Sequence, residues 1–226
     1  MANLKIVAVF AIVIVAAVTG IAWPFLANLQ SLKVIPIQAS QWHMGKGSQY
    51  EPEMLYQVSF NKTKFSADMK FLQMNGQSQG LSVEIKPSDS SRAINQTVQI
   101  GLVYYFTEVS PPAKPYFDIL DQTVFSMRDY ATDDKYLAKG AEWGDLYIGA
   151  NHEKLAVTDV GKNSFGFGTA NSYLLSYRIG TNINKFWIVD NLPLPVKAEV
   201  YDPDGNLEYT YELVSLKAPP IPGLSS

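Results

Sequence analysis

The chain has 226 residues, 47% of them hydrophobic and 17% charged, so it can bury a sizeable core and is no disordered tail. Its formal net charge of −3 comes without a basic block, so the electrostatic footprint of a nucleic-acid binder is missing. Cysteine is absent, which excludes disulfides, thiolate metal sites, a cysteine nucleophile and a lipidated cysteine.

After Lys5 no charge occurs until Lys33, and residues 6–22 are almost continuously apolar, with the same character carried on to Leu29. That makes roughly 20 to 24 residues, enough to cross a hydrocarbon layer about 30 Å thick. The expectation is a single-pass cell-membrane anchor over residues 1–32, embedded through 6–29, and a stalk at 33–39. The rival is a cleaved signal peptide, with Lys5 as its charged region and small residues Gly20 and Ala22 before the cut. A pilin-like assembly helix is disfavoured because no processing site follows Lys5. Both leading readings put the rest of the chain outside the cytoplasm. Abundant Asn, Gln, Thr and Tyr agree with export, as do two sequons that make Asn61 and Asn95 candidate glycosylation sites.

The extracytoplasmic domain is expected over 40–217, followed by a Pro-rich tail at 218–226. Period-two patterns predict strands at 54–60, 69–74, 81–86 and 97–109, the last with a buried run over 100–106. Prolines 111, 112 and 115 then interrupt the pattern. Phe117, Leu120, Val124 and Met127 follow at spacings of three, four and three, predicting an amphipathic helix over 116–130 with one face in need of a partner. A short second helix over 133–139 would complete the helical layer. Further strands are predicted at 145–149, 154–160, 173–180 and 184–190. The whole reads as α+β, a curved and mostly antiparallel sheet, half-barrel or sandwich-like, with one or two helices over it.

Val196, Ala198 and Val200 alternate with polar partners, as do Tyr209, Tyr211 and Leu213. Between them Asp202-Pro203-Asp204-Gly205 supplies an Asx starter, a proline of fixed φ and a glycine free to take positive φ, so a hairpin is predicted. A calcium loop would need glycine and glutamate where Leu207 and Leu213 stand. The glycines of GKNSFGFGT, residues 161–169, lack the lysine and hydroxyl that follow a P-loop's last glycine, and read as a bent or bulged start to a strand.

The remaining chemistry is sparse. A blue-copper site fails for want of a thiol, His152-Glu153 lacks a second histidine four residues on, and no serine-hydrolase elbow is present. His152 reads as a loop residue. His43, between Trp42 and Met44, reads as surface packing, with a binding mouth or a membrane interface as the rival. Glu51, Glu53, Asp118, Asp121, Glu142, Asp145 and Asp159 are numerous enough for some pair to stand at glycosidase separation, and sequence selects none. No catalytic, cofactor or metal-binding set is assigned.

Residues 185–216 bear a family pattern. Trp187, Asp190, Leu192, Pro193, Pro195, Val196, Lys197, Glu199, Tyr201, Gly205 and Glu212 stand in an arrangement that resembles the closing strands of LolA- and RseB-like extracytoplasmic proteins. The resemblance covers about 45 residues and is mostly structural, a proline before an edge strand and a turn glycine. It implies a strongly curved half-barrel whose concavity, under its helices, holds acyl chains or contacts partner proteins. The expected function is therefore a membrane-anchored binding module for an apolar ligand or partner segment, with Phe117, Leu120, Val124 and Met127 as ligand-binding candidates. The alternatives are an accessory subunit of an envelope or membrane complex and an envelope hydrolase.

Overall fold

Alternation of buried and solvent-facing side chains shapes nearly every element of the computed structural model, which describes residues 39–220 apart from 77, 91, 102, 149 and 150. The chain divides into two units, Met1–Val34 and Ile35–Ser226. The expected anchor, all but the last residue of the stalk and most of the tail lie outside the described residues. Among the described residues no helix is long and apolar enough to cross a membrane.

In chain order the first strands are β1 (Gln41–Trp42), β2 (Glu53–Phe60), β3 (Thr63–Asn75), β4 (Ser78–Pro87), β5 (Ile94–Ile100) and β6 (Phe106–Thr107). Helix α1 (Lys114–Gln122) and β7 (Lys135–Tyr136) follow. The remainder is β8 (Glu142–Ile148), β9 (Asn151–Phe165), β10 (Gly168–Ile179), β11 (Asn182–Ile188), β12 (Lys197–Tyr201) and β13 (Leu207–Lys217). Eleven of these strands form one open, curved antiparallel sheet in the order β6-β5-β4-β3-β2-β13-β12-β11-β10-β9-β8, while β1 pairs with β7 separately. The last strand therefore sits in the middle, joining an N-terminal meander to a C-terminal one. Met54, Tyr56 and Val58 of β2 and Tyr209, Tyr211 and Leu213 of β13 are buried on the inner face, and the residues between them, Leu55, Gln57, Thr210 and Glu212, turn outward as period two requires.

Helix α1 covers that inner face. Tyr116 meets Phe65 edge-on at 5.2 Å, and Phe106 packs edge-on against Phe117 at 4.9 Å and Phe125 at 4.7 Å. The helix is shorter than predicted. It stops at Gln122, and Ser126–Asp129 is a 3-10 turn. Thr123 turns its hydroxyl back onto the Ile119 carbonyl at 2.7 Å, a local bond that competes with helix continuation, and its backbone leaves the helical region at φ −115, ψ −89. The second helix predicted at 133–139 does not form. Lys135 and Tyr136 instead pair with Trp42 and Gln41, and Leu137 donates its N–H to Ser40 at 2.7 Å, so tertiary pairing overrides local preference.

Two other expectations change. The strand predicted over 97–109 is split into β5 and β6: the chain turns back after Ile100, which pairs with Phe106, and Tyr104 and Glu108 on either side of β6 take left-handed conformations at φ 59 and φ 61. Of the 161–169 glycines, Gly161 lies within β9, Gly166 in the hairpin turn and Gly168 at the start of β10, and the bulge lies further on, between Leu174 and Leu175. Gly166 donates its N–H to the Glu212 carboxylate at 3.1 Å, which seats this hairpin tip on β13. The 202–205 turn forms as predicted. Gly205 adopts φ +88 and donates to the Asp202 carbonyl at 3.0 Å, while the Asp202 carboxylate accepts the Asn206 N–H at 2.8 Å. That backbone hydrogen bond, with others from the turn, holds the Asp202 carboxyl below the ordinary carboxylate range.

Candidate functional site

The densest local organisation lies in the loop between β1 and β2, residues 43–49. Trp42 anchors its start, stacked on Trp143 at 5.6 Å and donating its indole N–H to the Leu192 carbonyl at 2.7 Å. Met44 N–H then donates to Ala131 and Gly45 N–H to Pro193, both at 2.8 Å. Lys46 Nζ reaches the Asp190 carboxylate at 2.6 Å and also donates to the Gln41 carbonyl. The loop is thus bonded to the segment after β11 by main chain and side chain together.

Glycine permits this closeness. Gly45 and Gly47 both sit at φ +89, and a Cβ on Gly45 would stand 1.3 Å from the Tyr104 hydroxyl, one on Gly47 1.9 Å from the Asn191 carbonyl oxygen. Glu51, Tyr104 and Asn191 around the same loop also adopt positive φ, at 50, 59 and 61. Left-handed conformations of non-glycine residues are costly and persist only where surrounding contacts over-determine them. Here the contacts are plain. Buried Gln79 donates to the Ser48 carbonyl at 3.2 Å and to Leu72 at 2.8 Å. Burial pushes the Tyr104 phenol up, against the hydrogen bond with the Ser48 side chain that lowers it.

Beside the loop opens a pocket of about 450 Å³ lined by His43, Met44, Met74, Gln79, Ile100 and Tyr104, among others. Its volume lies within the range of small-molecule sites, roughly 300–1,000 Å³. Met74 of the lining is 52% exposed, and Val103, which precedes Tyr104 in the chain, is 51% exposed. The lining offers apolar surface with a few hydrogen-bonding groups and no nucleophile–base pair. His43, read from sequence as surface packing, belongs to this lining, with Nδ1 2.9 Å from the Met44 carbonyl.

The sequence-predicted ligand residues sit elsewhere. Phe117, Leu120, Val124 and Met127 come together under the sheet, each at most 2% exposed. Phe117 also borders a second pocket, of about 300 Å³, with Tyr105, Phe106, Val109, Lys114 and Asp121. Next to it Arg128 donates to both Asp121 carboxylate oxygens and lies 4.0 Å from the Tyr105 ring centroid. Burial disfavours the guanidinium charge, but the hydrogen bonds and charge of Asp121 outweigh it and hold Arg128 above its ordinary pKa.

Asn61 and Asn95 are both exposed, Asn61 in the β2–β3 turn and Asn95 on β5. His152 lies on strand β9, not in a loop, with Nε2 2.8 Å from Asp145 and its ring stacked on Tyr147 at 4.9 Å. The singled-out carboxylates are largely paired with cations, Asp118 with Lys114, Asp121 with Arg128, Glu142 with Lys154 and Glu53 with Lys217. Among the described residues no three His, Cys, Asp or Glu side chains gather as a metal-binding group. Sequence reading missed Gly45, Gly47, Gln79 and Tyr104. The available signal was Gly-Lys-Gly directly after Trp-His-Met, since two glycines that close together suggest a backbone needing positive φ.

No protein-family model and no curated protein matches the chain. Solved structures that are similar include MucB, at 8% identity and a TM-score of 0.42, covering 79% of this chain and 57% of MucB. A protein from Bacteroides fragilis NCTC 9343, described as exported and of YmcC-like fold, matches at 10% identity and a TM-score of 0.33, covering 79% of this chain and 99% of that one. A protein from Parabacteroides distasonis ATCC 8503, described as a lipoprotein, matches at 10% identity and 0.34, covering 79% and 100%. The chain spans little more than half of MucB.

Proposed function

We propose that the chain is a membrane-tethered extracytoplasmic binding module, and that the pocket between the 43–49 loop and Tyr104 takes an apolar ligand such as an acyl chain. The observation that carries this reading is a pocket of ligand size walled by a loop whose backbone is locked by glycine contacts and hydrogen bonds, with apolar side chains at its mouth. Preorganised walls lower the ordering cost of binding. The location outside the cytoplasm follows from the apolar N-terminal segment, and the exported and lipoprotein descriptions of similar structures agree with it.

A second reading, an accessory subunit of a membrane complex, is favoured by the filled interior. With Leu120 of the helix and Val124 just past its end wholly buried, this segment serves as a plug, and the module's use would lie in its outer surface.

The test uses the full chain purified in detergent. Organic extraction with mass spectrometry looks for a copurified lipid, and a fluorescent fatty-acyl probe is titrated against wild type, Met74→Asp, Phe117→Ala and Leu207→Asp. The expected outcome is saturable binding weakened by Met74→Asp and unchanged by Leu207→Asp, an exposed residue of the C-terminal hairpin. Binding weakened only by Phe117→Ala moves the ligand to the helix–sheet crevice. A folded chain with neither lipid nor saturable signal leaves the accessory reading in front.

A further inference from the structure

The described chain enters the domain next to the pocket and its exposed rim. Ser40 accepts the Leu137 N–H at 2.7 Å, Gln41 and Trp42 form β1, and His43 and Met44 already line the pocket. Met74 stands near the tip of the β3–β4 hairpin and lines the same pocket, and Val103 follows Ile100 and Gly101 of the lining. Apolar side chains of neighbouring loops thus project into solvent at the end of the sheet where the N-terminal connection arrives. The chain from Leu29 to Ala39 spans at most about 35 Å even when fully stretched. An N-terminal segment held in a bilayer therefore keeps this end of the domain within that distance of the lipid headgroups, while the Asp202–Gly205 turn lies near the β2–β3 turn, at the opposite end of the central strands.

From this juxtaposition we infer that Met74 and Val103 form a membrane-contacting rim, and that the occupant of this apolar surface is the bilayer to which the chain is tethered. The inference rests on the tethered reading of residues 6–29. Its chemistry is ordinary for an interface. Aliphatic and thioether side chains enter the headgroup–acyl boundary, so loops that would expose apolar surface to water are covered by lipid. The pocket mouth then opens against the membrane, and an acyl chain would reach it without crossing water.

The absence of cysteine makes the test clean. Single-cysteine full-length chains, Met74→Cys, Val103→Cys and Asp204→Cys, are labelled with an environment-sensitive fluorophore and reconstituted in phosphatidylcholine–phosphatidylglycerol vesicles that carry nitroxide-labelled lipid. The expected result is blue-shifted emission and several-fold stronger quenching at positions 74 and 103 than at 204. Equal, weak quenching at all three positions in vesicle-bound chain overturns the rim while leaving the tether intact. A chain that does not float with the vesicles overturns both. In native membranes, a photocrosslinker at position 103 that captures a protein instead of lipid assigns the surface to a partner and overturns the lipid assignment.

Discussion

Tyr56 and Tyr211 meet edge-on at 6.0 Å in the core, and burial pushes both phenols well above their ordinary pKa, but their hydroxyls fare differently. Tyr56 donates to the Pro195 carbonyl at 2.9 Å, whereas the Tyr211 hydroxyl is buried without a protein partner. Removing one half of a matched buried pair costs about 1–3 kcal/mol, while removing an unmatched polar atom is neutral or stabilising. Tyr56→Phe is therefore expected to lower the chemical-denaturation midpoint, and Tyr211→Phe to leave it unchanged or raise it. Equal losses would show that the Tyr211 hydroxyl is satisfied in solution. The glycines of the site allow a sharper test. Gly45→Ala collides with a side chain and Gly47→Ala with a main-chain carbonyl, each costing at least about 2 kcal/mol. Combining each with Tyr104→Ala should relieve the first change by more than about 1 kcal/mol relative to additivity and leave the second additive.

At the scale of elements, the C-terminal hairpin depends on its turn. Gly205 holds φ +88 with space around it except for the Asn182 amide, 3.0 Å from where a Cβ would stand. Gly205→Val places a β-branched residue in that conformation at a cost of about 1–3 kcal/mol, and the loss should appear as a lower melting temperature. Asn206→Ala keeps the main-chain N–H bonded to Asp202 and loses only exposed side-chain contacts, so its effect should be much smaller. Similar effects would mean that the turn is held by contacts other than its own conformation. This hairpin was legible in sequence because all its determinants are local. The helix was legible by its spacing, but its end was not, since the Thr123 hydroxyl bond and the packing of Phe125 on Phe106 accompany its stop at Gln122, short of the predicted register contacts Val124 and Met127.

For the molecule as a whole, the proposed membrane tether underlies both the binding and the rim readings. The full chain should remain in the membrane pellet after alkaline extraction, with an intact mass that retains residues 6–29. A soluble chain with its terminus near Trp23 would identify a cleaved signal. The sheet itself explains why a C-terminal pattern was so readable. β13 pairs with both β12 and β2, so its inner residues contact both meanders and its alternation is enforced from two sides.

Sequence alone determined the β-rich plan, the alternating faces, the 202–205 turn and the apolar character of Phe117, Leu120, Val124 and Met127, because each is encoded in residues close together along the chain. Tertiary structure decided where the apolar run 100–106 goes, that 135–136 pairs with 41–42 instead of coiling into a helix, and that the four helix-register residues are core. It also decided the candidate site. Gly45 meets Tyr104, Gly47 meets Asn191 and Lys46 meets Asp190 across long stretches of sequence, and no local periodicity reports contacts that exist only once the sheet has closed its two meanders around β13.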